Sequence, residues 1–386
     1  MVDPTSASHV SAQTLDLARR LVACRSITPD DAGCLSLIAP RLTGAGFVCE
    51  RVDRGAARNL WARHGHADPI VCLAGHVDVV PPGPIERWTS DPFVGVERDG
   101  YLYGRGAADM KTSVAAMVTA AERFVGAHPD HLGSIALLLT SDEEGDAADG
   151  TAAVVDALQS RSTRLAACII GEPTSSERLG DTMKNGRRGS LHGVLTVTGT
   201  QGHVAYPARA RNPIHIALPG LAELAATEWD GGDESFEPTR FQMSNVHAGT
   251  GANNVIPGTL EVVFNFRFSP ASPAEALQVR VQEVLDRHGI EGAVAWTLAS
   301  APFISARGRL VDVLSQAVAD VTGITPALST NGGTSDGRFL AAMSAELVEF
   351  GPVNASIHAI DERVRVADAG PLSAIYEQTI RSLLTG

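Results

Sequence analysis

Short apolar runs that end in an acid or a histidine are the main hydropathy pattern of this chain. They occur four times: 71–75 before His76, 135–140 before Glu143 and Glu144, 167–171 before Glu172, and 349–351 before His358. Apolar runs of this length are typical of buried strands in a parallel sheet. In open α/β sheets, ligands bind just outside the carboxyl ends of the strands. The pattern therefore predicts one polar site at that edge, and its mix of imidazole and carboxylate groups indicates a metal.

Amphipathic segments precede and separate the first three runs. Residues 14–23, 109–125 and 151–158 place apolar side chains at helical spacing, in alternation with the strands. Such alternation gives a mostly parallel sheet that is covered by helices on both faces. We therefore expect an α/β catalytic domain.

The middle of the chain has a different order of elements. Strands are predicted over 195–199, 241–247, 260–268 and 293–298, and helices over 214–226 and 273–289. Ser272 is the expected N-cap of the second helix, with Glu275 as its capping-box partner. The order β-α-β-β-α-β is that of ferredoxin-like α+β domains. We predict such a domain at 189–301, inserted into a catalytic domain formed by 1–188 and 302–386.

Composition narrows the class of protein. The 386 residues exceed what one hydrophobic core usually holds, which agrees with two domains. A formal net charge of −13 disfavours non-specific nucleic-acid binding. The apolar stretches are strand-length and the first residues lack a signal-peptide pattern, so we expect neither a membrane span nor a signal peptide.

The cysteines are scattered, odd in number and without a closely spaced pair. They are Cys24, Cys34, Cys49, Cys72 and Cys168. This usage is typical of reduced structural thiols in a cytoplasmic protein. A catalytic cysteine is the weaker alternative.

Five residues are candidate metal ligands: His76, Asp109, Glu144, Glu172 and His358. Zinc and similar ions bind histidine nitrogen and carboxylate oxygen. Asp109 follows the glycines of 104–106 at the predicted start of a helix, where exposed amides favour a carboxylate. Five ligands are too many for one tetrahedral zinc and suit two ions that share a carboxylate. Each residue alone is more often a cap or a surface residue, so the inference depends on several strand ends acting together.

Two more acids stand beside these candidates. Asp78 is two residues from His76 and faces the same side of its strand, whereas the neighbours Glu143 and Glu144 point oppositely. One glutamate can thus bind metal while the other has another role. A non-catalytic metal-binding protein would not need the second glutamate. A nucleotide-binding α/β protein is disfavoured because 104–106 lacks the full dinucleotide fingerprint.

At these positions the chain resembles the M20 family of di-zinc amidohydrolases. The segments that carry the resemblance are Gly75-His76-Val77-Asp78, Gly104-Arg105-Gly106-Ala107-Ala108-Asp109-Met110-Lys111, Asp142-Glu143-Glu144-Gly145 and Gly171-Glu172-Pro173-Thr174. Three more resemble the branch that acts on N-succinyl-LL-2,6-diaminopimelate: Lys184-Asn185-Gly186-Arg187-Arg188-Gly189-Ser190, Gly202-His203-Val204-Ala205-Tyr206-Pro207 and Gly332-Gly333-Thr334-Ser335-Asp336. The resemblance implies hydrolysis of that amide to succinate and LL-2,6-diaminopimelate, in lysine and diaminopimelate biosynthesis.

The resemblance also implies roles for the site residues. His76 and Glu172 would hold one zinc, Glu144 and His358 the other, and Asp109 would bridge the two, with Co²⁺ as a substitute metal. Asp78 would bind the far nitrogen of His76, and Glu143 would be the general base. His203 would donate a hydrogen bond in the partner subunit's active site, which implies a homodimer. The alternative for His203 is a plain turn histidine.

Substrate-binding residues by the same resemblance are Arg187, Asn253, Arg267, Thr334 and Asn354. Arginine suits a substrate with several carboxylates, because a guanidinium binds a carboxylate through two parallel hydrogen bonds. Arg188 is equally well explained as a solvated or structural residue, and Asn253 as part of a turn. Acetylornithine deacetylase, aminoacylase and dipeptidase activities remain alternatives that use the same machinery.

Overall fold

The computed structural model describes residues 4–385, which divide into two compact units with separate hydrophobic cores. The first unit contains Met1–Gly186, Ile304–Ser329 and Ser335–Gly386, and the second contains Arg187–Phe303 and Thr330–Thr334. The predicted insertion, 189–301, does not include the short segment 330–334. That segment belongs to the second unit because Thr330 donates a hydrogen bond to the Ser235 carbonyl at 2.5 Å and Arg187 donates to the Gly333 carbonyl at 3.0 Å.

The helices and strands are numbered in chain order. The helices are α1 (Pro4–Val22), α2 (Cys34–Gly44), α3 (Thr112–Ala127), α4 (Thr151–Ser160), α5 (Pro213–Ala226), α6 (Ala274–Arg287), α7 (Arg309–Thr322), α8 (Gly337–Leu340) and α9 (Ala369–Leu384). The strands before the second unit are β1 (Val48–Arg51), β2 (Leu60–His64), β3 (Ile70–His76), β4 (Val96–Arg98), β5 (Tyr101–Tyr103), β6 (Ser134–Thr140), β7 (Leu165–Ile170) and β8 (Thr182–Lys184). The later strands are β9 (Gly186–Arg187), β10 (Gly189–Thr198), β11 (Gly202–His203), β12 (Arg240–Ala248), β13 (Val255–Ile256), β14 (Thr259–Phe268), β15 (Gly292–Ser300), β16 (Phe303–Ile304), β17 (Ala327–Ser329), β18 (Ser344–Glu349) and β19 (Arg363–Arg365).

The first unit is built on an eight-stranded sheet in the order β1-β2-β6-β3-β7-β18-β8-β17. The four adjacent strands β6, β3, β7 and β18 are parallel to one another. Every residue of β3 and β6 is buried, as expected where helices cover both faces of a parallel sheet. The predicted α/β architecture is confirmed, and the four strands that precede the candidate ligands are these four neighbours.

The second unit contains a four-stranded antiparallel sheet in the order β12-β14-β10-β15. Helices α5 and α6 pack on it around a core that includes Phe264, Phe266 and Leu277. This order and connectivity are those of the predicted ferredoxin-like domain.

The predicted cap of α6 is wrong. The helix begins at Ala274 with Pro273 at its N-cap position, and no side chain caps it. The Ser272 hydroxyl instead donates to the Asp230 carboxylate at 2.6 Å. Ser272 therefore lies in the loop before the helix, where its hydroxyl donates to Asp230 and its oxygen does not accept from the helix amides as an N-cap would.

Across the described residues, no helix combines the length and the apolar character that a membrane crossing would require.

Candidate metal centre

Five side chains converge at the carboxyl edge of the parallel strands, and they form two groups. His76, Asp109 and Glu172 make one group, and Asp109, Glu144 and His358 make the other. Within each group the nitrogen and oxygen atoms lie within 4.8 Å of one another. The structure thus brings together the five residues predicted as ligands, with Asp109 common to both groups.

The sheet explains why four of these residues meet. His76 is the last residue of β3, Glu172 follows β7 by two residues, Glu144 follows β6, and His358 lies in the loop after β18. These strands are neighbours and run in parallel, so their carboxyl ends lie side by side. Burial of the preceding apolar residues fixes where each strand ends.

Asp109 reaches the site differently from the prediction. It is not at a helix start, because α3 begins at Thr112, and its φ of −121° and ψ of 95° are extended values. Asp109 therefore lies in a turn between β5 and α3. The free amides of this turn are bound by another carboxylate, that of Glu362.

Glu362 is the site residue that the sequence did not reveal. Its carboxylate is fully buried and accepts from the backbone N–H groups of Gly106 at 3.0 Å, Ala108 at 2.9 Å and Asp109 at 3.0 Å. It also accepts from Arg105 Nη1 at 2.7 Å. Burial raises the pKa of Glu362, the charge of Asp109 adds to the rise, and the Gly106 amide and Arg105 oppose it.

The ion pair of Glu362 and Arg105 connects two ligand-bearing loops. Arg105 Nη2 donates to the His358 carbonyl at 3.3 Å, where the His358 backbone has a left-handed φ of 58°. Glu362 meanwhile holds the backbone of Asp109. The only sequence signals for this pairing are an acid four residues beyond His358 and a glycine-flanked turn whose amides need an acceptor, and they do not identify the two as partners.

A methionine packs against the ends of the two strands that lead to His76 and Glu172. Met110 is buried, and its sulfur lies 3.4 Å from the His76 backbone nitrogen. A Cβ atom added to Gly75 or to Gly171 would collide with its terminal methyl group. Glycine immediately before His76 and Glu172 therefore leaves room for the Met110 side chain, which would have to move if either position carried a Cβ.

Asp78 contacts His76 through its carbonyl oxygen and the backbone of Glu143 and Glu144 through its carboxylate. Its carbonyl oxygen lies 3.0 Å from His76 Nδ1, whereas its carboxylate is 3.7 Å from that nitrogen. The carboxylate accepts instead from the backbone N–H groups of Glu143 at 3.1 Å and Glu144 at 3.0 Å. Asp78 thus orients His76 through a carbonyl, and it also fixes the turn that carries both glutamates.

The charge balance of the cluster suits divalent cations. Burial lowers the pKa of His76, but its contact with Asp109 and nearby carboxylates outweighs burial and raises it well above the usual value. Hydrogen bonds to Asp109 and Glu144 raise the pKa of His358 to about 10. The surrounding carboxylates therefore favour the protonated form of both histidines. Two nitrogens and three carboxylates fit a pair of zinc-like ions, which would replace those protons.

Glu143 lies beside the two groups without belonging to either. Burial raises its pKa well above the usual value, and the charges of Glu172, Asp336 and Glu144 add to the rise. A half-buried carboxylate with a raised pKa is suited to accept and return a proton. This environment is the one expected for a general base.

The predicted arginines form a cluster in the second unit. Arg267 is opposite Ser190 in the pairing of β14 with β10, and burial lowers its pKa, with the charges of Arg188 and Arg187 adding to the effect. Arg188 pairs with Glu237 at 3.0 Å, and Arg187 donates to the Gly333 carbonyl, next to Thr334. One guanidinium nitrogen of Arg267, Nη1, is buried without a hydrogen-bond partner. The cluster already contains the carboxylate of Glu237, and the unpartnered donor is on Arg267.

His203, on strand β11, and Asn253, in the turn before β13, are exposed and lie in neighbouring segments of the same unit. His203 pairs with Val255 across β11 and β13, and the Val204 amide donates to the Asn254 carbonyl at 3.0 Å. His203 Nδ1 accepts from the Ala205 amide at 3.1 Å. The structure thus places these two residues together, while Asn354 is half-buried in the first unit, four residues before His358.

Comparison with known proteins agrees with this architecture. Residues 72–382 match the model of peptidase family M20/M25/M40. A protein from an Azoarcus species named succinyl-diaminopimelate desuccinylase is 61% identical over 372 residues, which cover 96% of this chain and 98% of the relative. A protein of the same name from Nitrosomonas europaea is 58% identical over 375 residues, covering 97% of this chain and 100% of the relative.

Solved structures share the fold at low sequence identity. An M20-family metallo-carboxypeptidase from Sulfolobus solfataricus has a TM-score of 0.77 and 17% identity, covering 96% of this chain and 98% of that chain. A dinuclear metal-binding M20 peptidase from Bacillus subtilis has a TM-score of 0.70 and 15% identity, covering 99% of each chain. With the match of the family model over most of its length, the chain belongs to peptidase family M20.

Proposed function

We propose that this protein is a metal-dependent amidohydrolase that cleaves N-succinyl-LL-2,6-diaminopimelate to succinate and LL-2,6-diaminopimelate, in the cytoplasm, as a step of lysine and diaminopimelate biosynthesis. The main observation in support of a hydrolytic activity is the pair of ligand groups that share Asp109, with the carboxylate of Glu143 beside them. Relatives that bear the desuccinylase name at 57–61% identity support the substrate.

The proposed resident ions are two zinc ions per subunit, with Co²⁺ able to replace them. His76 and Glu172 would hold one ion, Glu144 and His358 the other, and Asp109 would contact both. When bound, such a pair lowers the pKa of a water molecule and polarises an amide carbonyl. The Asp78 carbonyl keeps His76 Nδ1 protonated, which leaves Nε2 free to bind the metal.

The chain's own contribution to the reaction is proton transfer and orientation. Glu143 takes a proton from the attacking water on its carboxylate and later gives it to the nitrogen of the leaving amine. Asp78 holds the backbone of Glu143, which limits how far that carboxylate can move. His203 donates a hydrogen bond to the developing oxyanion, from the partner subunit.

The arginine cluster supports an acidic substrate. We propose that Arg187 and Arg267 bind a substrate carboxylate, together with Asn253, Thr334 and Asn354. A carboxylate would satisfy the buried Nη1 of Arg267 and relieve the mutual repulsion of the guanidinium groups. A neutral N-acyl group would do neither.

A homodimer is the proposed assembly, and the edge of the sheet in the second unit supports it. Strand β12 is at the edge, and all its residues from 242 to 248 are exposed, including Met243 and Val246. Exposed apolar edge strands are suited to pairing with another chain. His203 lies in the same unit and is exposed, at the end of β11.

The substrate proposal is tested by comparing amide cleavage rates. Metal-loaded protein should hydrolyse N-succinyl-LL-2,6-diaminopimelate faster than N-acetylornithine or a dipeptide, and a chelator should stop all three reactions. Glu143→Gln should bind the same amount of metal as the wild type and lose about 10²–10⁴-fold in turnover. Faster cleavage of the acetyl substrate would overturn the proposed specificity, and loss of metal from Glu143→Gln would make this residue a ligand.

The role of His203 across subunits is tested by complementation. His203→Ala and Glu143→Ala proteins are each expected to be nearly inactive, whereas a purified heterodimer should recover activity in the one site that has both residues. The Tyr206→Phe variant, altered in the same turn, serves as the matched control and should keep its activity. Verified heterodimers without activity would refute a role in the partner's site.

A further inference from the structure

A cationic and aromatic face covers the small antiparallel sheet formed by β4, β5 and β19. Tyr101 is opposite Arg98 on one side and Arg365 on the other, and Tyr103 is opposite Arg363. Residues opposite each other, and residues two apart on a strand, lie on the same face of a sheet. The residue between them on each of β5 and β19 is buried. Three arginines and two tyrosines therefore lie together on the outer face.

The tyrosine rings hold two of these guanidinium groups in place. Arg363 lies 5.4 Å from the centroid of the Tyr101 ring and 5.6 Å from that of Tyr103, and Arg365 lies 6.0 Å from that of Tyr101. The face of an aromatic ring attracts a cation at such distances. In the described part of the chain, neither of these two side chains forms an ion pair or donates a hydrogen bond. Their N–H donors are therefore available to an anion.

A cavity of about 290 Å³ opens beside Arg363 and Arg365, which both line it. The Ser356 hydroxyl accepts from the Arg363 amide at 3.0 Å and donates to the Arg363 carbonyl at 2.9 Å. This pair of bonds fixes one wall of the cavity, and an occupant would contact the loop that carries His358. The other lining residues include Tyr101, Ser176, Glu177, Val353 and Ala355.

The acids near this face leave the two arginines without a direct counter-charge. Asp361 accepts hydrogen bonds from the Thr89 amide at 2.9 Å and from the Thr89 hydroxyl at 2.6 Å. Asp99 is 4.0 Å from Nε of the third arginine, Arg98. Glu177 lines the cavity but is exposed to solvent. The cavity thus offers two guanidinium groups and only one carboxylate, which faces water.

We propose that this cavity binds a small organic dicarboxylate, with one carboxylate on Arg363 and the other on Arg365. A guanidinium binds a carboxylate through two parallel hydrogen bonds. Val353 and Ala355 provide apolar contacts for the carbon chain between the carboxylates, which an inorganic anion lacks. The negative charge of Glu177 disfavours anions of higher charge, such as polyphosphates. The small volume also limits the size of the ligand.

Arginine footprinting on the full-length, metal-loaded protein tests this proposal. Phenylglyoxal modifies accessible guanidinium groups, and cleavage after glutamate releases peptide 363–377, whose only arginines are Arg363 and Arg365. Succinate, the dicarboxylate probe, should protect both arginines. Arg161, an exposed arginine that pairs with Glu50 at 2.6 Å, is the control and should react at an unchanged rate.

Other anions define the class of ligand. Butyrate, which has one carboxylate, should require about tenfold more than succinate for the same protection, because one charge-assisted contact is lost. Inorganic phosphate should also protect less well than succinate. Equal protection by butyrate, or by sodium chloride at the same ionic strength, would reduce the effect to charge screening and overturn the proposal. Stronger protection by phosphate would overturn the organic ligand, and absence of protection by succinate would overturn the site.

A variant links the protection to this pair of side chains. In Arg365→Gln, the succinate concentration that half-protects Arg363 should rise about tenfold or more, whereas Arg161→Gln should leave it unchanged. An unchanged value in Arg365→Gln would contradict binding by both arginines. Arg187 and Arg267 lie on other peptides, so their protection reports the proposed substrate site separately. Protection of those two residues alone would support the proposed substrate while overturning the second site.

Discussion

Glu362→Gln is the substitution that tests most directly how the metal centre is supported. Each carboxylate oxygen of Glu362 accepts two hydrogen bonds: one from the amides of Ala108 and Asp109, the other from the Gly106 amide and Arg105. A glutamine can keep only one of these oxygens. Its least costly orientation keeps the oxygen at Arg105, so that its NH₂ group faces the amides of Ala108 and Asp109.

The expected loss of stability follows from those contacts. Two buried amides lose their acceptor, at about 1–3 kcal/mol for each unsatisfied group. Arg105 also loses its buried counter-charge, and breaking such a pair costs about 3–5 kcal/mol in known cases. These terms overlap, since one carboxylate provides both. We expect the free energy of unfolding of the first unit to fall by about 3–5 kcal/mol.

The second expected effect is on metal affinity, because Glu362 positions the backbone of Asp109. Loss of a residue that orients a metal ligand by hydrogen bonding typically weakens metal binding about 10- to 100-fold. Both effects are measured on the same sample, by guanidinium unfolding and by competition of a chelating dye for the metal.

Glu377→Gln is the matched control. Glu377 pairs with Arg123 at 2.7 Å, but both side chains are partly exposed and lie on helices α9 and α3. An exposed pair contributes about 0–1 kcal/mol. If Glu362→Gln has the unfolding free energy and the metal affinity of Glu377→Gln, the supporting role of Glu362 is wrong.

Two further predictions concern protons. Metal binding at pH 8 should release a proton from His358, whose pKa is about 10, so the apparent metal affinity should rise about tenfold per pH unit for each released proton. Calorimetry in buffers of different ionisation enthalpy measures the number of protons released. The control is His64→Gln, which alters a histidine distant from the site and should not change that number. Asp230, whose pKa the hydrogen bonds from Ser272 and Thr239 lower to about 2 against burial, stabilises the second unit above pH 4, and this stability is lost as the pH falls towards 2. Asp230→Asn should therefore lose about 1–2 kcal/mol at pH 7 and match the wild type near pH 2, whereas the exposed Asp286→Asn should match it throughout; a loss that persists at pH 2 would contradict the assignment.

The parts of the site that the sequence predicted depend on strand ends. The apolar runs before His76, Glu144 and Glu172 predict both the strands and the point where each strand ends. A polar residue at such a point must lie at the carboxyl edge of the parallel sheet. Parallel pairing then brings the residues together without any further information. The ferredoxin-like order of the second unit was predictable for the same reason, because alternating and helical periodicities are local.

Features that depend on long-range hydrogen bonding were not predictable in this way. The acceptor for the turn that carries Asp109 is Glu362, 253 residues later. Ser272 had the local pattern of a helix cap, but its hydroxyl donates to the distant carboxylate of Asp230 and the helix begins two residues later, at Ala274. In both cases a partner distant in the sequence determines the contact, and the local sequence pattern does not reveal that partner.

Met110 connects the shared ligand to the sheet through apolar packing. Strands β3 and β7 are adjacent, and the Gly171 amide donates to the Ala74 carbonyl at 3.0 Å, so the sheet itself sets the separation of His76 and Glu172. The terminal methyl group of Met110 packs where a Cβ of Gly75 or Gly171 would be, and Asp109 is the residue before Met110. The residue common to both ligand groups is thus held against the sheet by a side chain without hydrogen-bonding groups of its own, so a smaller residue at position 110 would leave Asp109 less firmly placed while the strand ends keep His76 and Glu172.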